Sequence, residues 1–311
     1  MFQSCNMIRF GEALRNIRKQ LKLTQKDVYF QLGINEDTLR KIENGKVIPK
    51  YETIELLSTL YKQDLLKTLM DHRSSNVWYD ILNKLDFWIV NDQFRELKSL
   101  YESIPQTERQ QLEMDLIDCT QLEQFELYLS AALHYCEKTK SFEEILQLHT
   151  QALCVTHTSF DPNALNKSAF NFFELRILLA VGIIYAELDQ ISMSNTILEF
   201  VYAEISSTSI ISSDTRKLLI RTVYNISYNR HILDNQDETL KWANLGIEQC
   251  LKDHSTYFLA NLYFRKAAAE YSLGQANSSE SFHNSFFVLN ISNQQKKAEL
   301  FKEMAILKYG L

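Results

Sequence analysis

The sequence predicts an all-α protein in which a small N-terminal domain is followed by a long array of helix pairs. Its 311 residues include only seven glycines and three prolines, and three of those glycines and one proline lie within the first 50 residues. The rest of the chain therefore has few of the residues that end helices or form turns, which favours long helices over a many-stranded fold. A chain of this length also exceeds a typical single domain, so we expect two units or an elongated repeat array.

The first 70 residues predict five short helices. A first amphipathic helix covers about residues 8–21, where Leu14, Ile17 and Leu21 share one face. After Pro49, apolar residues at helical spacing continue the same core through the fourth and fifth helices. Those residues are Ile54, Leu57, Leu60, Leu65, Leu66 and Leu69.

The second and third helices are joined by a glycine turn. Thr24 is a good N-cap for the second helix, Gly33 ends it, and Asn35 caps the third. The third helix ends before Gly45, and Pro49 blocks any continuation. Two short helices joined in this way are the arrangement that places a helix in the DNA major groove. Their inward-facing apolar residues are Val28, Leu32, Ile34, Leu39 and Ile42.

The segment from Asn16 to Pro49 resembles the helix-turn-helix domains of the Xre/lambda-repressor type. The resemblance rests on "TQ" at the start of the second helix, "LGI" at the turn, and "IENGK" at the end of the third. The whole chain resembles the RRNPP group (PlcR-like) of peptide-pheromone-responsive regulators of Gram-positive bacteria, in segments such as "TVYNISYNRHILDNQDETLKWANLGIEQC" and "AVGIIYAEL". The first resemblance implies a DNA-binding domain, and the second implies a helical region that binds a short signalling peptide.

Candidate DNA contacts follow from positions on these helices and from the resemblance. Gln25, at the start of the second helix, is placed to hydrogen-bond a phosphate. The resemblance implies that positions 36, 37 and 41 read bases, and that Lys46 and the backbone near Asn44 contact phosphate. The full candidate set for DNA binding is Gln25, Glu36, Asp37, Arg40, Lys41, Asn44 and Lys46.

The acidic residues of the third helix have different expected roles. Glu43 resembles the family's buried glutamate, which pairs with an arginine of the first helix, and Arg18 occupies the matching position. We therefore expect a structural ion pair. Glu36 and Asp37 place two acids where the family more usually has neutral or basic side chains. They either accept from cytosine N4 and specify cytosine, or only cap the helix and repel phosphate, and the sequence leaves both alternatives open.

The charge of the chain is unevenly distributed. Residues 1–75 contain 13 Lys and Arg against 9 Asp and Glu, a net charge of +4, whereas residues 76–311 contain 20 against 30, a net charge of -10. Only the N-terminal part has the sign that suits phosphates, and the acidic remainder disfavours non-specific wrapping of DNA. We place the DNA-binding domain at residues 1–70, a polar linker at 71–76 and the helical array at 77–311.

Helix pairs recur within the array. Turn-like segments followed by an amphipathic helix begin at intervals of 48, 50, 46 and 41 residues, near Gln93, Ser141, Ile191, Asp237 and Ser278. A tetratricopeptide repeat has about 34 residues and a HEAT-type pair about 40–47, so spacing alone does not decide between them. The resemblance implies tetratricopeptide-like (TPR-like) pairs with lengthened helices. Such an array curves, and its concave face, lined by the first helix of each pair, suits an extended peptide.

Polar residues at helical spacing are the candidates for peptide contacts. Asn225 and Asn229 are four apart on one predicted helix, and Asn261 and Arg265 repeat that spacing one pair later. An Asn amide both donates and accepts, so it can hold a peptide backbone of any sequence. Arginines can hold a peptide carboxylate. The alternative is that these residues are solvated or cap helices. The candidate set is Arg176, Arg221, Asn225, Asn229, Asn261 and Arg265.

Catalysis, metal binding and membrane insertion have little support in the sequence. It contains no HExxH motif, glycine-rich phosphate loop or nucleophile elbow. The five cysteines are an odd number, far apart and without CxxC, which indicates reduced thiols in a cytoplasmic protein. His149, Cys154 and His157 lie among apolar residues and are expected in the core or at its rim. The longest apolar run, residues 177–186, is too short to span a bilayer, and we expect neither a signal peptide nor a cofactor.

These observations together predict a cytoplasmic, homodimeric transcription regulator that binds double-stranded operator DNA and a short signalling peptide (quorum sensing). One alternative is a repressor of phage or mobile-element type, whose helical region only dimerises or binds a partner protein. A second is a scaffold or phosphatase-like interaction protein that uses the array alone. The intact "IENGK" segment argues against a scaffold, which has no need of a DNA-recognition unit.

Overall fold

The computed structural model describes residues 6–72, 82, 84–85, 119–207 and 213–310. Helices dominate these residues, and no β-strand occurs among them, so the predicted all-α class is confirmed. Contacts group the chain into two compact units, one with the helices up to residue 72 and one with the residues from 123 onward. The repeat expected near Gln93, and most of the linker expected at 71–76, lie outside the described residues. No helix within the described ranges combines the length and apolar character that crossing a bilayer requires.

The N-terminal unit contains the five predicted short helices. Thr24 caps the second through a capping box with Asp27, and the Asn35 side chain accepts a hydrogen bond from the amide of Asp37 at the start of the third. Gly33 ends the second helix in the left-handed conformation, with φ of 72°. The helices are α1 (Met7–Gln20), α2 (Gln25–Leu32), α3 (Glu36–Glu43), α4 (Tyr51–Tyr61) and α5 (Leu65–Asp71).

One apolar core holds these helices together. Leu14 is buried as expected, but Leu21 is exposed, because α1 ends at Gln20 and Leu21 is its C-cap. Phe10, one turn before Leu14, fills the core instead. Leu66 is also exposed rather than buried. The buried members of the core are Phe10, Leu14, Val28, Ile34, Leu39, Ile42, Ile54, Leu57, Tyr61 and Leu65.

The second unit is a succession of nine helices within the described residues. Each second helix of a pair begins where the sequence predicted, for example after the N-cap Ser141, whose capping box includes Glu144. The helices are α6 (Cys119–Glu137), α7 (Phe142–Cys154), α8 (Phe172–Glu187), α9 (Ile191–Ser206), α10 (Ser213–Ile232), α11 (Gln236–Lys252), α12 (Leu259–Ser272), α13 (Ser278–Ile291) and α14 (Gln295–Tyr309).

The first helices of successive pairs are neighbours. Besides packing against the next helix in the chain, α8 contacts α10, α10 contacts α12, and α12 contacts α14. This side-by-side placement is the one expected of TPR-like pairs, in which the first helices line a common surface. The apolar run at 177–186 lies in α8 and is largely buried, as predicted.

The connection between α7 and α8 is longer than a turn between paired helices. It runs over residues 155–171 and includes a short 3-10 helix, Leu165–Lys167. Its ends are held by Glu174, which accepts hydrogen bonds from the Thr156 hydroxyl at 2.7 Å and from the Asn171 amide at 2.7 Å. No periodic pattern in the sequence predicts this connection.

Candidate functional site

A buried ion pair joins the first and third helices of the N-terminal unit. Arg18 Nε donates to Glu43 Oε1 at 2.6 Å, and Arg18 Nη2 donates to Oε2 at 2.9 Å. The Glu43 side chain is fully buried. The hydrogen bond to Glu43 is the main cause of the raised pKa of Arg18. The predicted structural pair is therefore confirmed, and its two-pronged geometry fixes α3 against α1.

The Gln25 side chain contacts this ion pair. Its Nε2 atom donates to Glu43 Oε2 at 2.9 Å, so the α2 start is tied to the same carboxylate. The Gln25 side chain is thus already engaged within the protein, and its contact with phosphate stays a prediction. A phosphate contact by Gln25 requires its second amide hydrogen or the loss of the bond to Glu43.

The exposed face of α3 carries a three-residue charge cluster. Asp37 Oδ1 lies 2.5 Å from Arg40 Nη2, and Asp37 Oδ2 lies 2.7 Å from Lys41 Nζ. Hydrogen bonds from Lys41 and then Arg40 hold the pKa of Asp37 below its usual value. The three side chains remain roughly half exposed, at 47%, 63% and 51% for Asp37, Arg40 and Lys41. The charge of Asp37 is thus offset within its own helix, whereas Glu36 lies beside the cluster and is exposed.

Arg15 is a further residue of this site, and it was not among the predicted DNA contacts. Its Nη2 atom donates to the Glu43 carbonyl at 3.3 Å and to the Asn44 side-chain oxygen, and its side chain remains 36% exposed. Arg15 lies three residues before Arg18 and so on the same helical face, which was the available signal. The Asn44 side chain is occupied by Arg15, while Lys46 is exposed. A groove beside α3 has cations on its walls, namely Arg15, Arg18, Lys19, Lys26 and Arg40.

Five of the six candidate peptide contacts lie on the neighbouring helices α10 and α12, with partly or largely buried side chains. Asn225 is half-buried, and its Nδ2 donates to the Arg221 carbonyl at 2.7 Å, one turn earlier in α10. Arg221 is itself buried, as is Arg176 of α8. On α12, Asn261 is half-buried, and the Arg265 guanidinium lies 4.7 Å from the centre of the Tyr228 ring. All of these residues lie on first helices of consecutive pairs.

Asn229 differs from the other candidates on α10 and α12 because its side chain makes packing contacts with the neighbouring helix α9. It is only 1% exposed, and its Nδ2 donates to Ser194 Oγ at 2.7 Å and to Asn195 Oδ1 at 3.1 Å. Both amide hydrogens are therefore used to join α10 to α9, which is a packing role. The four-residue spacing from Asn225 was misleading because the two side chains have different partners.

A small pocket lies among the first helices of the array. Its walls come from α6, α7, α8 and α10, and its volume is about 60 Å³. Arg221 is the one candidate residue on its lining, together with Tyr128, Ala132, Tyr135, Cys136, His149, Ala180, Ile183 and Ile184. His149 is buried, as expected, and burial lowers its pKa to about 3. The described part of the chain holds no group of three His, Cys, Asp or Glu side chains arranged for a metal ion.

Comparison with known proteins supports the division into these two parts. Residues 14–66 match the helix-turn-helix family model. A search among curated proteins gave no significant match.

Several solved structures share the fold over nearly the whole chain. PlcR of Bacillus thuringiensis, in complex with the peptide PapR7 and DNA, has a TM-score of 0.73 at 15% identity, covering 94% of this chain and 99% of PlcR. The SHP pheromone receptor Rgg2 of Streptococcus dysgalactiae has 0.58 at 12%, covering 96% and 99%. ComR of S. thermophilus, in complex with DNA and its signalling peptide ComS, has 0.53 at 13%, covering 97% and 100%. The chain therefore carries a helix-turn-helix domain at residues 14–66 and shares its whole-chain fold with PlcR, Rgg2 and ComR.

Proposed function

We propose that this protein is a cytoplasmic transcription regulator that binds operator DNA through α3 and a short signalling peptide through the helix array. The single observation that carries the proposal is the combination, in one chain, of an intact helix-turn-helix with an array whose fold recurs in PlcR bound to PapR7 and DNA. The protein acts as a homodimer, because one helix-turn-helix reads only a few base pairs and paired half-sites supply usable specificity. It has no catalytic role.

The charges of the N-terminal unit support DNA binding. Arg40 and Lys41 extend from the exposed face of α3, and the adjacent groove has further cations at Arg15, Lys19 and Lys26. In this reading, α3 lies in the major groove, where Lys41 contacts a base edge and Lys46 a phosphate. Asp37 holds Arg40 and Lys41 in defined positions before DNA arrives, which reduces the conformational freedom they lose on binding.

The array supports peptide binding through its first helices. A peptide in a groove loses water from its backbone amides and carbonyls, and each of these groups needs a new partner. Asn225 and Asn261 are half-buried on the neighbouring helices α10 and α12. The Asn225 side-chain nitrogen already donates within its helix, so its oxygen is the group we assign to a peptide amide.

The DNA proposal is tested with the full-length protein and duplexes that flank its own gene. Lys41→Ala should weaken binding to the selected operator by about 1–3 kcal/mol and relax base preference. Lys46→Ala should weaken binding to all duplexes alike and reduce the salt slope by about one. Lys67→Ala, an exposed lysine on α5, is the matched control and should leave binding unchanged. Unchanged operator affinity and preference in Lys41→Ala would refute the placement of α3.

The peptide proposal is tested by calorimetry with synthetic heptapeptides selected from a pool on the full-length protein. Asn225→Ala should reduce affinity by about 1–3 kcal/mol, because a buried peptide group loses its partner. Asn244→Ala, exposed on the second helix α11, is the control. An Asn225→Ala, Asn261→Ala double variant with wild-type affinity would remove these residues from the groove. DNA binding with no peptide bound at any concentration would favour the phage-type repressor.

A further inference from the structure

Arg265 is a half-buried cation on the surface shared by the first helices of the array. It extends from α12, and its guanidinium lies over the Tyr228 ring of α10, 4.7 Å from the ring centre. Because α10 and α12 are neighbouring first helices, this contact lies on the surface that we assign to the peptide. Asn225 and Asn261 lie one helical turn earlier on the same two helices. Arg265 is therefore a charged position beside the two asparagines that we assign to the peptide backbone.

Arg265 has no carboxylate partner among the residues that the structure describes. Within those residues its Nε atom is buried and lacks a hydrogen-bond partner, and its guanidinium contacts only the Tyr228 ring. Two arginines of α10 are different, because Arg216 pairs with Asp253 and Arg230 with Glu199. Residues 76–311 contain 30 acids against 20 Lys and Arg, so a shortage of acids does not explain the difference. A charge that is partly removed from water and has no ion partner is a place where an arriving anion gains most.

The titratable groups around Arg265 leave its charge uncompensated. Burial raises the pKa of Tyr309 and lowers the pKa of His231, and the Arg265 charge acts on both groups. A phenol with a raised pKa and an imidazole with a lowered pKa are both uncharged at neutral pH. Lys308 and Asp234 also act on His231, with opposite signs, and Arg265 has the largest charge effect on it. The surroundings of Arg265 therefore have no surplus of negative charge.

The contact with Tyr228 leaves the hydrogen-bonding edge of the guanidinium available. An aromatic ring attracts a guanidinium through the face of its plane, whereas the N–H groups of the guanidinium point outward within that plane. Two parallel N–H groups match the two oxygens of a carboxylate, which is the commonest bidentate partner of arginine in proteins. Tyr228 is itself 39% exposed, so the site is open to a ligand in the groove. Carboxylates are also the only anionic groups of an unmodified peptide at neutral pH.

We propose that Arg265, positioned over the Tyr228 ring, binds a carboxylate of the signalling peptide. The inference rests on the proposed peptide-binding function and makes it more specific. The carboxylate comes either from the C-terminus of the peptide or from an Asp or Glu side chain, and both present the same pair of oxygens to the guanidinium. This contact fixes where along the groove the peptide lies, while Asn225 and Asn261 hold its backbone.

The test removes the carboxylates of one peptide in turn and measures binding to the full-length protein by calorimetry. A parent heptapeptide with a free C-terminus is selected from a pool in which all positions vary. It is remade as the C-terminal amide and with each Asp or Glu replaced singly by Asn or Gln, so that every analogue lacks one negative charge. We expect one analogue to bind at least about tenfold more weakly than the parent, and its identity shows whether the C-terminus or an acidic side chain occupies the site.

Variants of the protein then identify the cation that binds this carboxylate. Arg265→Gln should bind the parent at least about tenfold more weakly and should distinguish it from that analogue by less than about twofold, because the two changes remove the same contact. Arg265→Lys keeps the charge but lacks the planar fork, so it should show a preference between these two values. Lys241→Gln, exposed on the second helix α11, loses the same charge and is the matched control, with the preference of the wild type.

Three results would overturn the assignment of a carboxylate to Arg265. Equal binding of the parent and all of its analogues by the wild type would remove the carboxylate site while leaving peptide binding intact, and this comparison needs no variant to fold. A tenfold preference for the parent that persists in folded Arg265→Gln would assign the carboxylate to another cation. Failure of every heptapeptide pool to bind would overturn the proposed peptide-binding function and the inference with it.

Discussion

Glu43 is a buried acid with partners on two other helices of the N-terminal unit. Its buried carboxylate accepts hydrogen bonds from Arg18 and Gln25, and Arg15 Nε lies 3.7 Å from Oε2. These donors come from α1 and α2, while Glu43 is the last residue of α3. A single side chain therefore joins three helices, and a charge of this kind is tolerated in a core only when its partners are complete.

Glu43→Ala should destabilise the N-terminal unit by about 3–5 kcal/mol, because it leaves the buried Arg18 without its partner. Hydrogen exchange of the full-length protein measures this locally, as faster exchange of the amides in α1, α2 and α3. Glu12→Ala, at an exposed position of α1, is the control and should exchange like the wild type. Wild-type protection in Glu43→Ala would show that the pair contributes little to stability.

The sequence predicted the Arg18–Glu43 pair through the resemblance, but not the roles of Arg15 and Gln25. Spacing shows which face of a helix a residue occupies, and Arg15 shares a face with Arg18. It does not show which of several donors reaches a given acceptor, since that depends on the crossing of α1 and α3. Asn229 was misassigned for the same reason: Ser194 and Asn195, its partners, are more than 30 residues away.

At the scale of helices, the sequence predicted where each helix begins better than it predicted which of its side chains face the core. Thr24, Asn35 and Ser141 are caps whose side chains accept backbone hydrogen bonds, and such a signal is local in sequence. The exposure of Leu21 was not predictable in this way, because a shift of one residue at a helix end moves a side chain off the core face. The connection over 155–171 was missed because it has no periodic pattern, and its anchor Glu174 lies beyond it.

Gly11 sets how closely α1 approaches α3. A Cβ atom added there would lie 2.5 Å from the Ile42 carbonyl oxygen and 2.7 Å from that of Glu43. These are backbone atoms, so no side-chain rotation relieves the clash, and the helices have to separate. A similar approach occurs at Gly45, where an added Cβ would lie 2.7 Å from the Ile8 backbone and φ is 68°.

Gly11→Ala should therefore destabilise the N-terminal unit by about 1–3 kcal/mol despite the better helix propensity of alanine. We expect thermal unfolding of this unit at a lower temperature, together with weaker DNA binding, because the Arg18–Glu43 geometry is disturbed. Asn16→Ala on the exposed face of α1 makes a substitution of comparable size and should change stability by less than about 0.5 kcal/mol. Equal melting of the Gly11→Ala variant and the wild type would mean that the backbones of α1 and α3 are not in close contact at Gly11.

At the scale of the whole molecule, composition predicted that a small N-terminal domain precedes a helix array. It did not predict the pocket between α6, α7, α8 and α10. The change in charge sign after residue 75 and the scarcity of glycine both appear in the sequence. The pocket brings together Tyr128 and Arg221, which are more than 90 residues apart in the sequence, because the first helices of consecutive pairs pack side by side. No local pattern encodes such a juxtaposition, because it depends on the superhelical placement of three helix pairs.

If one chain binds both peptide and DNA, as we propose, the two affinities are thermodynamically linked. If the peptide changes operator affinity by some factor, the operator changes peptide affinity by the same factor. The two measurements proposed above therefore check one another. A peptide that alters operator affinity without a matching change in its own affinity would indicate a second effect, such as a change in oligomeric state.

The last prediction concerns the use of two DNA-binding units on one operator. A dimer places its two recognition helices about one helical turn of DNA apart, so both half-sites have to face the same side of the duplex. Inserting five base pairs between the half-sites of the selected operator rotates one half-site by about half a turn, and affinity should fall at least tenfold, to that of a single half-site. The same insertion placed outside the half-sites is the control. Quantitative footprinting across a protein titration measures both. Equal affinity for one half-site, two aligned half-sites and two rotated half-sites would show that the protein binds DNA as a monomer.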